Sequence, residues 1–205
     1  MLQLPFNHSI TLIILTVIIS LLAFSNQALM NRLIFWPPAM QKGQYDRFIT
    51  YGFVHADGTH LLFNMITLFF FGSAIEQFYR QYAFNMGFVL FYVGALIFSI
   101  LPSYFKHRND YQWASLGASG AVSAVLFAYI LFKPWNLILV FFIPVPAIIF
   151  AVLYVGYSIW SSKRTGQHVN HSAHLWGAAY GVVVTLLINP KVLPHFLVEL
   201  TQLPF

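Results

Sequence analysis

The sequence contains no cysteine and very few charged residues. The absence of cysteine excludes disulfides, thiolate metal sites, iron–sulfur clusters and a cysteine nucleophile. Charged residues make up 7% of the 205 residues, whereas soluble domains carry about 25%. With 59% hydrophobic and 19% aromatic residues, the chain cannot cover a surface that faces water. The composition therefore indicates an integral membrane protein in contact with lipid.

A continuous basic surface is also missing. The net charge is +5, but the ten Lys and Arg residues occur singly or in pairs along the chain. Nucleic-acid-binding domains cluster their basic residues on one face or along one helix. We therefore expect no nucleic-acid partner.

Six runs with little or no charge are candidates for transmembrane helices, because about 20 helical residues cross the hydrocarbon core. The predicted spans are residues 9–28, 60–78, 82–101, 116–132, 135–160 and 171–188. The fifth is expected to bend at Pro144 and Pro146, since proline breaks the helix hydrogen-bond pattern. The apolar residues 191–205 are expected at the membrane interface. No repeat or second domain is visible, so the prediction is a single all-α polytopic domain over residues 1–205.

The basic residues are distributed unequally between the two sides of this bundle. The loops that follow the first, third and fifth spans carry seven Lys and Arg residues, and the opposite side carries three. Lys163 and Arg164 belong to the larger group. The positive-inside rule places that group in the cytoplasm.

Polar side chains lie at the start of alternate spans, where ionisable groups are costly and usually functional. They are His55, His60 and Asn64 at the second span, residues 117–120 (Gly-Ala-Ser-Gly) at the fourth, and His171 and His174 at the sixth. Alternate spans start from the same face of the membrane. The three clusters are therefore expected in one layer.

Ser119 and His174 supply the two groups that nucleophilic catalysis requires. A serine hydroxyl is a weak nucleophile unless a base lies within hydrogen-bond reach, and imidazole is a suitable base. Small residues at four-residue spacing let helices approach closely. Such pairs are Gly177 with Gly181 in the sixth span, and Gly117 with Ala121 and Gly120 with Ala124 in the fourth. The backbone N–H of Ser119, with His60 and Asn64, could stabilise an oxyanion. Taken singly, each feature is more often a packing or interfacial residue, so the inference rests on their joint occurrence.

Three segments together resemble the motifs of rhomboid intramembrane serine proteases. They are Arg47-x-x-Thr50 with Phe53-x-His55 and His60-Leu-Leu-Phe-Asn64; Gly117-x-Ser119-Gly120; and Ala173-His174-x-x-Gly177-x-x-x-Gly181. The resemblance extends over residues 47–181 and implies a rhomboid-type bundle of six transmembrane helices in which residues 31–59 form a membrane-embedded loop. Arg47 and His55 would support that loop.

The resemblance also implies roles and partners. Ser119 would be the nucleophile and His174 its base, with His60, Asn64 and the Ser119 backbone N–H as the oxyanion hole. The substrates would be transmembrane helices of other proteins, and no cofactor or metal would be needed. The active site would open to the periplasm or exterior of a bacterial inner membrane, against the charge count. The sequence does not indicate an oligomeric state.

Three positions depart from the family pattern. Asp46 stands where the family commonly has Trp, Arg80 where it has a second Gly, and Ser123 where many bacterial members have a Tyr that stacks on the catalytic His. Another side chain must then hold His174, and Tyr180 and Phe127 are the candidates.

Other membrane enzymes lack their required residues here. No Asp or Glu lies between Tyr111 and Val198, which excludes the zinc-protease pattern of paired His with Glu. Aspartyl intramembrane proteases need two carboxylates in mid-span, and the five acids do not provide them. Because none of the five acids is expected beside His174, we predict a Ser119–His174 dyad without a carboxylate. A non-enzymatic His-rich bundle, binding haem or metal, or a transporter, remains as the alternative.

Overall fold

The computed structural model describes residues 7–140, 142–162 and 169–202. The described part contains nine α-helices: α1 (His8–Ser25), α2 (Gln27–Leu33), α3 (Arg47–Thr50), α4 (Gly58–Tyr82), α5 (Gly87–His107), α6 (Ser119–Ile130), α7 (Ala147–Ser162), α8 (His171–Ile188) and α9 (Val192–Thr201). Two short 3-10 helices, Pro37–Lys42 and Tyr51–Phe53, lie between α2 and α4. Lys163 and Arg164, on which the charge count partly depends, lie outside the described residues.

Four of the described helices are long and apolar enough to cross a membrane, namely α1, α4, α5 and α8. They correspond to the first, second, third and sixth predicted spans, and the prediction of an all-α polytopic membrane protein is confirmed. Asn26 ends the first span early, because its side chain accepts a hydrogen bond from the Leu29 backbone N–H and caps α2.

The prediction of one long fifth span is wrong over its first half. Residues 135–160 do not form one bent helix: β1 (Leu137–Val140) pairs antiparallel with β2 (Ile143–Pro146), and only then does α7 begin. Both prolines of this region lie in β2, where neither can donate the hydrogen bond that a helix needs. The backbone N–H of Ala147 donates to the Asn136 carbonyl at 2.9 Å, which adds one more hydrogen bond at the open end of the hairpin.

The central helix of the fold is α6, which contacts α4, α5, α7 and α8. Its side chains are buried continuously from Gly120 to Ala128. It has 12 residues, about 18 Å, and does not reach across a hydrocarbon core of ~30 Å. Its first residue is Ser119 rather than the predicted residue 116, because Gly117 has a φ of +108°, which no right-handed helix contains.

The segment between α1 and α4 is held by the buried Arg47. Its guanidinium donates to the carbonyls of Asn31 and Ile34 at 2.9 and 2.6 Å and to the Gln44 side chain at 2.7 Å. Asp46, at the position where the resemblance implies Trp, forms a 2.7 Å ion pair with Arg32. The hydrogen bond from Arg32 holds the pKa of Asp46 below its usual range. The loop is therefore braced by Arg47 while Asp46 stays at the surface.

Glu76 lies at the opposite end of the bundle from the polar clusters. Its carboxylate accepts hydrogen bonds from the backbone N–H groups of His8 and Ser9, each at 2.9 Å, and thereby caps α1. Arg80 donates to the same carboxylate at 2.9 Å. Arg80, at the position where the resemblance implies a second Gly, thus compensates a buried charge.

Candidate active site

Ser119 and His174 form a direct hydrogen-bonded pair. The Oγ of Ser119 lies 2.7 Å from Nε2 of His174. Ser119 is the first residue of α6, and His174 lies one turn inside α8. Both side chains are half-buried, so the pair is partly accessible from outside the bundle.

Two glycines of α8 allow the close approach that this pair requires. A Cβ at Gly177 would collide with the carbonyl of Gly120, and a Cβ at Gly181 would collide with the carbonyl of Ala124. On the other side of Gly120, a Cβ would collide with the Ser99 side chain. Backbone therefore packs directly on backbone between α6 and α8, as in small-residue contacts of membrane helices.

The turn before Ser119 is fixed by the loop that precedes α4. Gly117 donates its N–H to the Tyr51 carbonyl at 2.9 Å, and Ala118 donates its N–H to Nε2 of His55 at 3.3 Å. Gly117 must be glycine for two reasons, its positive φ and the His60 ring, whose Nε2 would lie 2.9 Å from a Cβ there. This arrangement orients the first turn of α6.

His55 is a fully buried side chain whose tautomer follows from its partners. The Ser20 hydroxyl donates to the Phe53 carbonyl at 2.9 Å, so its oxygen accepts from Nδ1–H of His55 at 3.0 Å. This leaves the Nε2 lone pair free to accept from Ala118. Burial lowers the pKa of His55 to about 3, and neighbouring His60 acts in the same direction. A neutral ring is the form that both hydrogen bonds require.

His60 and Asn64 lie in the first two turns of α4. Asp57 caps this helix by accepting from the His60 backbone N–H at 2.7 Å, and the His60 ring packs edge-on against His55 at 4.9 Å. The buried Asn64 donates from its side chain to the His60 carbonyl at 2.8 Å. The His60 ring therefore lies beside the glycine turn that leads into Ser119.

The ring that stacks on His174 comes from a residue that the sequence did not single out. Tyr154 of α7 lies with its ring centroid 6.0 Å from that of His174 and its plane inclined by 17°. The expectation for Tyr180 is wrong, since its ring packs on Phe91 and Phe98. Phe127 contacts Tyr154 at 5.6 Å between centroids and supports it from α6. The small Ser123 was the sequence signal that another side chain holds His174.

The acidic residues have partners elsewhere in the chain. All five lie within the described residues: Asp46 pairs with Arg32, Asp57 caps α4, Glu76 binds His8 and Arg80, Asp110 binds His107, and Glu199 lies near Lys133 and His195. Among the described ion pairs and hydrogen bonds, His174 has Ser119 as its side-chain partner. Over the same part of the chain, no group of three or more His, Asp or Glu residues has the geometry to hold a metal ion.

Comparison with known proteins agrees with this geometry. A family model described as "Rhomboid domain" matches residues 42–191. RHOMBOID-like protein 12, mitochondrial, from Arabidopsis thaliana is 31% identical over 172 residues, which is 78% of this chain and 51% of that protein. Rhomboid-like protein 11, chloroplastic, from the same plant is 32% identical over 161 residues, 70% of this chain and 52% of that protein. Rhomboid protease AarA from Providencia stuartii is 29% identical over 87 residues, 38% of this chain and 31% of that protein.

This chain spans about half the length of the two plant relatives that it matches. The family match, residues 42–191, includes Ser119, His174 and the turn at Gly117.

Proposed function

The chain belongs to the rhomboid family, and on that premise we propose that it is an intramembrane serine endopeptidase which cleaves transmembrane segments of other membrane proteins. The observation that carries the proposal is the 2.7 Å contact between Ser119 Oγ and His174 Nε2. A serine hydroxyl held this close to an imidazole nitrogen is activated for attack on a carbonyl.

The reaction proceeds through an acyl-enzyme. Ser119 Oγ bonds to the carbonyl carbon of the scissile peptide while Nε2 of His174 takes the hydroxyl proton. When the C–N bond breaks, Nε2 returns this proton to the leaving amine. Water then attacks the ester, again with His174 as base, and releases Ser119.

The developing negative charge on the substrate oxygen falls near the start of α6. Ser119 is the first residue of that helix, where backbone N–H groups have no acceptor within the helix. His60 lies over the Gly117 turn and Asn64 one turn further along α4. We assign these three groups to the oxyanion hole, because preorganised donors act on charge that exists only in the transition state.

His174 acts without a carboxylate in this proposal. Every acidic side chain of the described chain is engaged elsewhere. A carboxylate buried beside the imidazole would carry a large desolvation cost in a lipid-surrounded bundle. The dyad consists of Ser119 and His174, and packing holds the imidazole ring.

The substrate must present an extended backbone to this site. A peptide bond inside a helix is covered by its hydrogen bonds and side chains, so a transmembrane segment has to unwind before Ser119 can attack it. Residues with low helix propensity in the substrate would favour this unwinding. The segment 31–59, braced by Arg47, is proposed as the membrane-embedded loop beside the site.

The protein is an integral membrane protein. The prediction that it lies in a bacterial inner membrane is not supported, because two of the relatives are named mitochondrial and chloroplastic. We propose that the layer of Ser119, His174 and His60 lies on the side of the membrane opposite to residues 189–191. Reporter fusions after Pro190 and within residues 107–112 should give opposite compartments.

A fluorescent fluorophosphonate probe tests the proposal, because it reacts covalently only with activated serines. Purified protein should be labelled, and Ser119→Ala should not. Equal labelling of the two proteins, or none of the wild type when it is correctly folded, would overturn the proposal. Absorbance in the haem region of the purified wild type serves as a control for the non-enzymatic alternative.

A further inference from the structure

We infer that Tyr154 is the residue that positions the imidazole of His174, so that the orientation of the base is supplied by α7 rather than by the helix that carries the nucleophile. The inference rests on the proposed serine-protease function. It concerns a residue that lies 20 positions before His174 in the sequence and on a different helix.

The Tyr154 ring covers one face of the imidazole. The two planes are inclined by 17°, and their centroids are 6.0 Å apart, which is the range of an offset aromatic stack. A ring parallel to the imidazole restricts rotation about the bond that sets the ring plane. The lone pair of Nε2 is thereby kept in the direction of Ser119 Oγ.

A chain of hydrogen bonds fixes the Tyr154 ring itself. The Ser123 hydroxyl donates its single proton to the Ser119 carbonyl at 2.7 Å. The phenol of Tyr154, 2.6 Å from Ser123 Oγ, must therefore be the donor in that contact. The chain runs from Tyr154 through Ser123 to the backbone of the nucleophile. Tyr154, which stacks on the base, is thus linked to Ser119, which bears the nucleophile.

Two further rings hold Tyr154 in place. Phe127 of α6 and Phe150 of α7 lie with their centroids 5.6 and 5.5 Å from that of Tyr154. His171 approaches His174 at 5.7 Å but at 76°, so it meets the imidazole edge-on and does not cover its face. Within the described residues, Tyr154 is the ring that lies parallel to His174. The small Ser123 leaves the space that this ring occupies.

The position of α7 consequently matters for chemistry. If α7 moves away from α6, the stack and the hydrogen bond to Ser123 are lost together, while the backbone contact between α6 and α8 remains. Ser119 and His174 would still be neighbours, but the imidazole could rotate. A docked α7 is thus required for an aligned base.

The experiment compares Tyr154→Leu, Tyr154→Phe and the matched control Tyr157→Leu, which makes the same change one turn along α7 at a side chain that is 56% exposed. Fluorophosphonate labelling at several probe concentrations separates the maximal inactivation rate from probe binding. We expect Tyr154→Leu to lower the maximal rate about thirtyfold, through loss of the stack and of one hydrogen bond together. Tyr154→Phe should lose about threefold, since it keeps the ring. The control should resemble wild type, and probe binding should change little in any variant.

Three results would overturn the inference: a wild-type maximal rate in folded Tyr154→Leu, an equal loss in Tyr154→Phe and Tyr154→Leu, or an equal loss in the control. If Tyr154→Leu does not fold, Tyr154→Met replaces it with the same expectation, because methionine fills irregular space without a ring. Failure of the wild type to react would instead contradict the proposed function, so the two failures are distinguishable.

Discussion

The two helices that flank α6 at the active site make contact with it in different ways. Towards α8, glycines bring the backbones into contact, with Gly177 against Gly120 and Gly181 against Ala124. Towards α7, the contact is made by side chains, mainly Tyr154 with Ser123 and Phe127. The first contact has no rotatable side chain and sets the distance between Ser119 and His174. The second is adjustable and sets the orientation of the imidazole.

The α7 side also has more free space for an added side-chain atom than the α8 side. A shallow apolar depression lies at the surface on the α7 side, lined by Phe127, Ala151, Val152, Val155 and Gly156. A Cβ added at Gly156 would meet no atom within 4 Å, whereas one at Gly177 would enter a carbonyl group. Glycine is thus required sterically on α8 but not at Gly156 of α7.

The largest effect is expected from Gly177→Ala. The added methyl group must separate α8 from α6 because the atom it meets is backbone, and a displacement near 1 Å can reduce a rate about a hundredfold. Probe labelling should therefore fall about a hundredfold. Gly156→Ala is the matched control and should label like wild type. Normal labelling of folded Gly177→Ala would show that the close backbone contact is not needed.

The buried His55, which holds the turn before Ser119, predicts that the protein becomes less stable in acid. The pKa of His55 is lowered to about 3, chiefly by burial and further by His60, while Asp57 raises it. Between this value and the ordinary pKa near 6.5, the unfolded chain binds a proton at this site that the folded chain does not. The contribution of His55 to the free energy of unfolding therefore falls as pH decreases from about 6.5 towards 3.

Thermal unfolding in detergent between pH 7.5 and 4.5 measures this dependence. Wild type should lose several degrees more than His55→Gln, whose amide does not titrate and can still accept from Ala118. The absolute stability of His55→Gln at pH 7.5 provides the control for lost packing. Parallel curves for the two proteins would contradict the assignment of a buried neutral His55.

A smaller effect is expected from Ser123→Ala. This change removes the acceptor of the Tyr154 hydroxyl but leaves the ring on His174, so the maximal labelling rate should fall about threefold, in proportion to one neutral hydrogen bond. The double variant with Tyr154→Phe should lose no more than either single variant, because both remove the same contact. Additive losses would show that the two hydroxyl groups act separately.

The smallest effect is expected from neutralising the acids one at a time. The changes are Asp46→Asn, Asp57→Asn, Glu76→Gln, Asp110→Asn and Glu199→Gln. Each folded variant should label within about twofold of wild type, because a dyad does not use a carboxylate. Glu76→Gln should also unfold more easily, since Glu76 caps α1 and binds Arg80. Loss of labelling in any folded variant would identify a third catalytic member.

The sequence predicted the elements whose signals are local. Spacings of three and four residues placed Gly177 and Gly181 on one face of α8, and the run Gly117–Gly120 marked a helix start. The fifth span could not be predicted, because an uncharged run fits a buried helix until Pro144 and Pro146 are paired in β2. Tyr154 could not be predicted either: its approach to His174 depends on how α7 is rotated and shifted against α6, which local periodicity does not determine.

The most direct test of the central claim is to map the probe adduct by mass spectrometry in wild type and in His174→Ala. We predict a single modified residue, Ser119, in wild type. His174→Ala should be correctly folded yet unmodified, because the serine has lost the base that lies 2.7 Å away. An adduct on a different serine, or full modification of Ser119 without His174, would contradict the Ser119–His174 dyad.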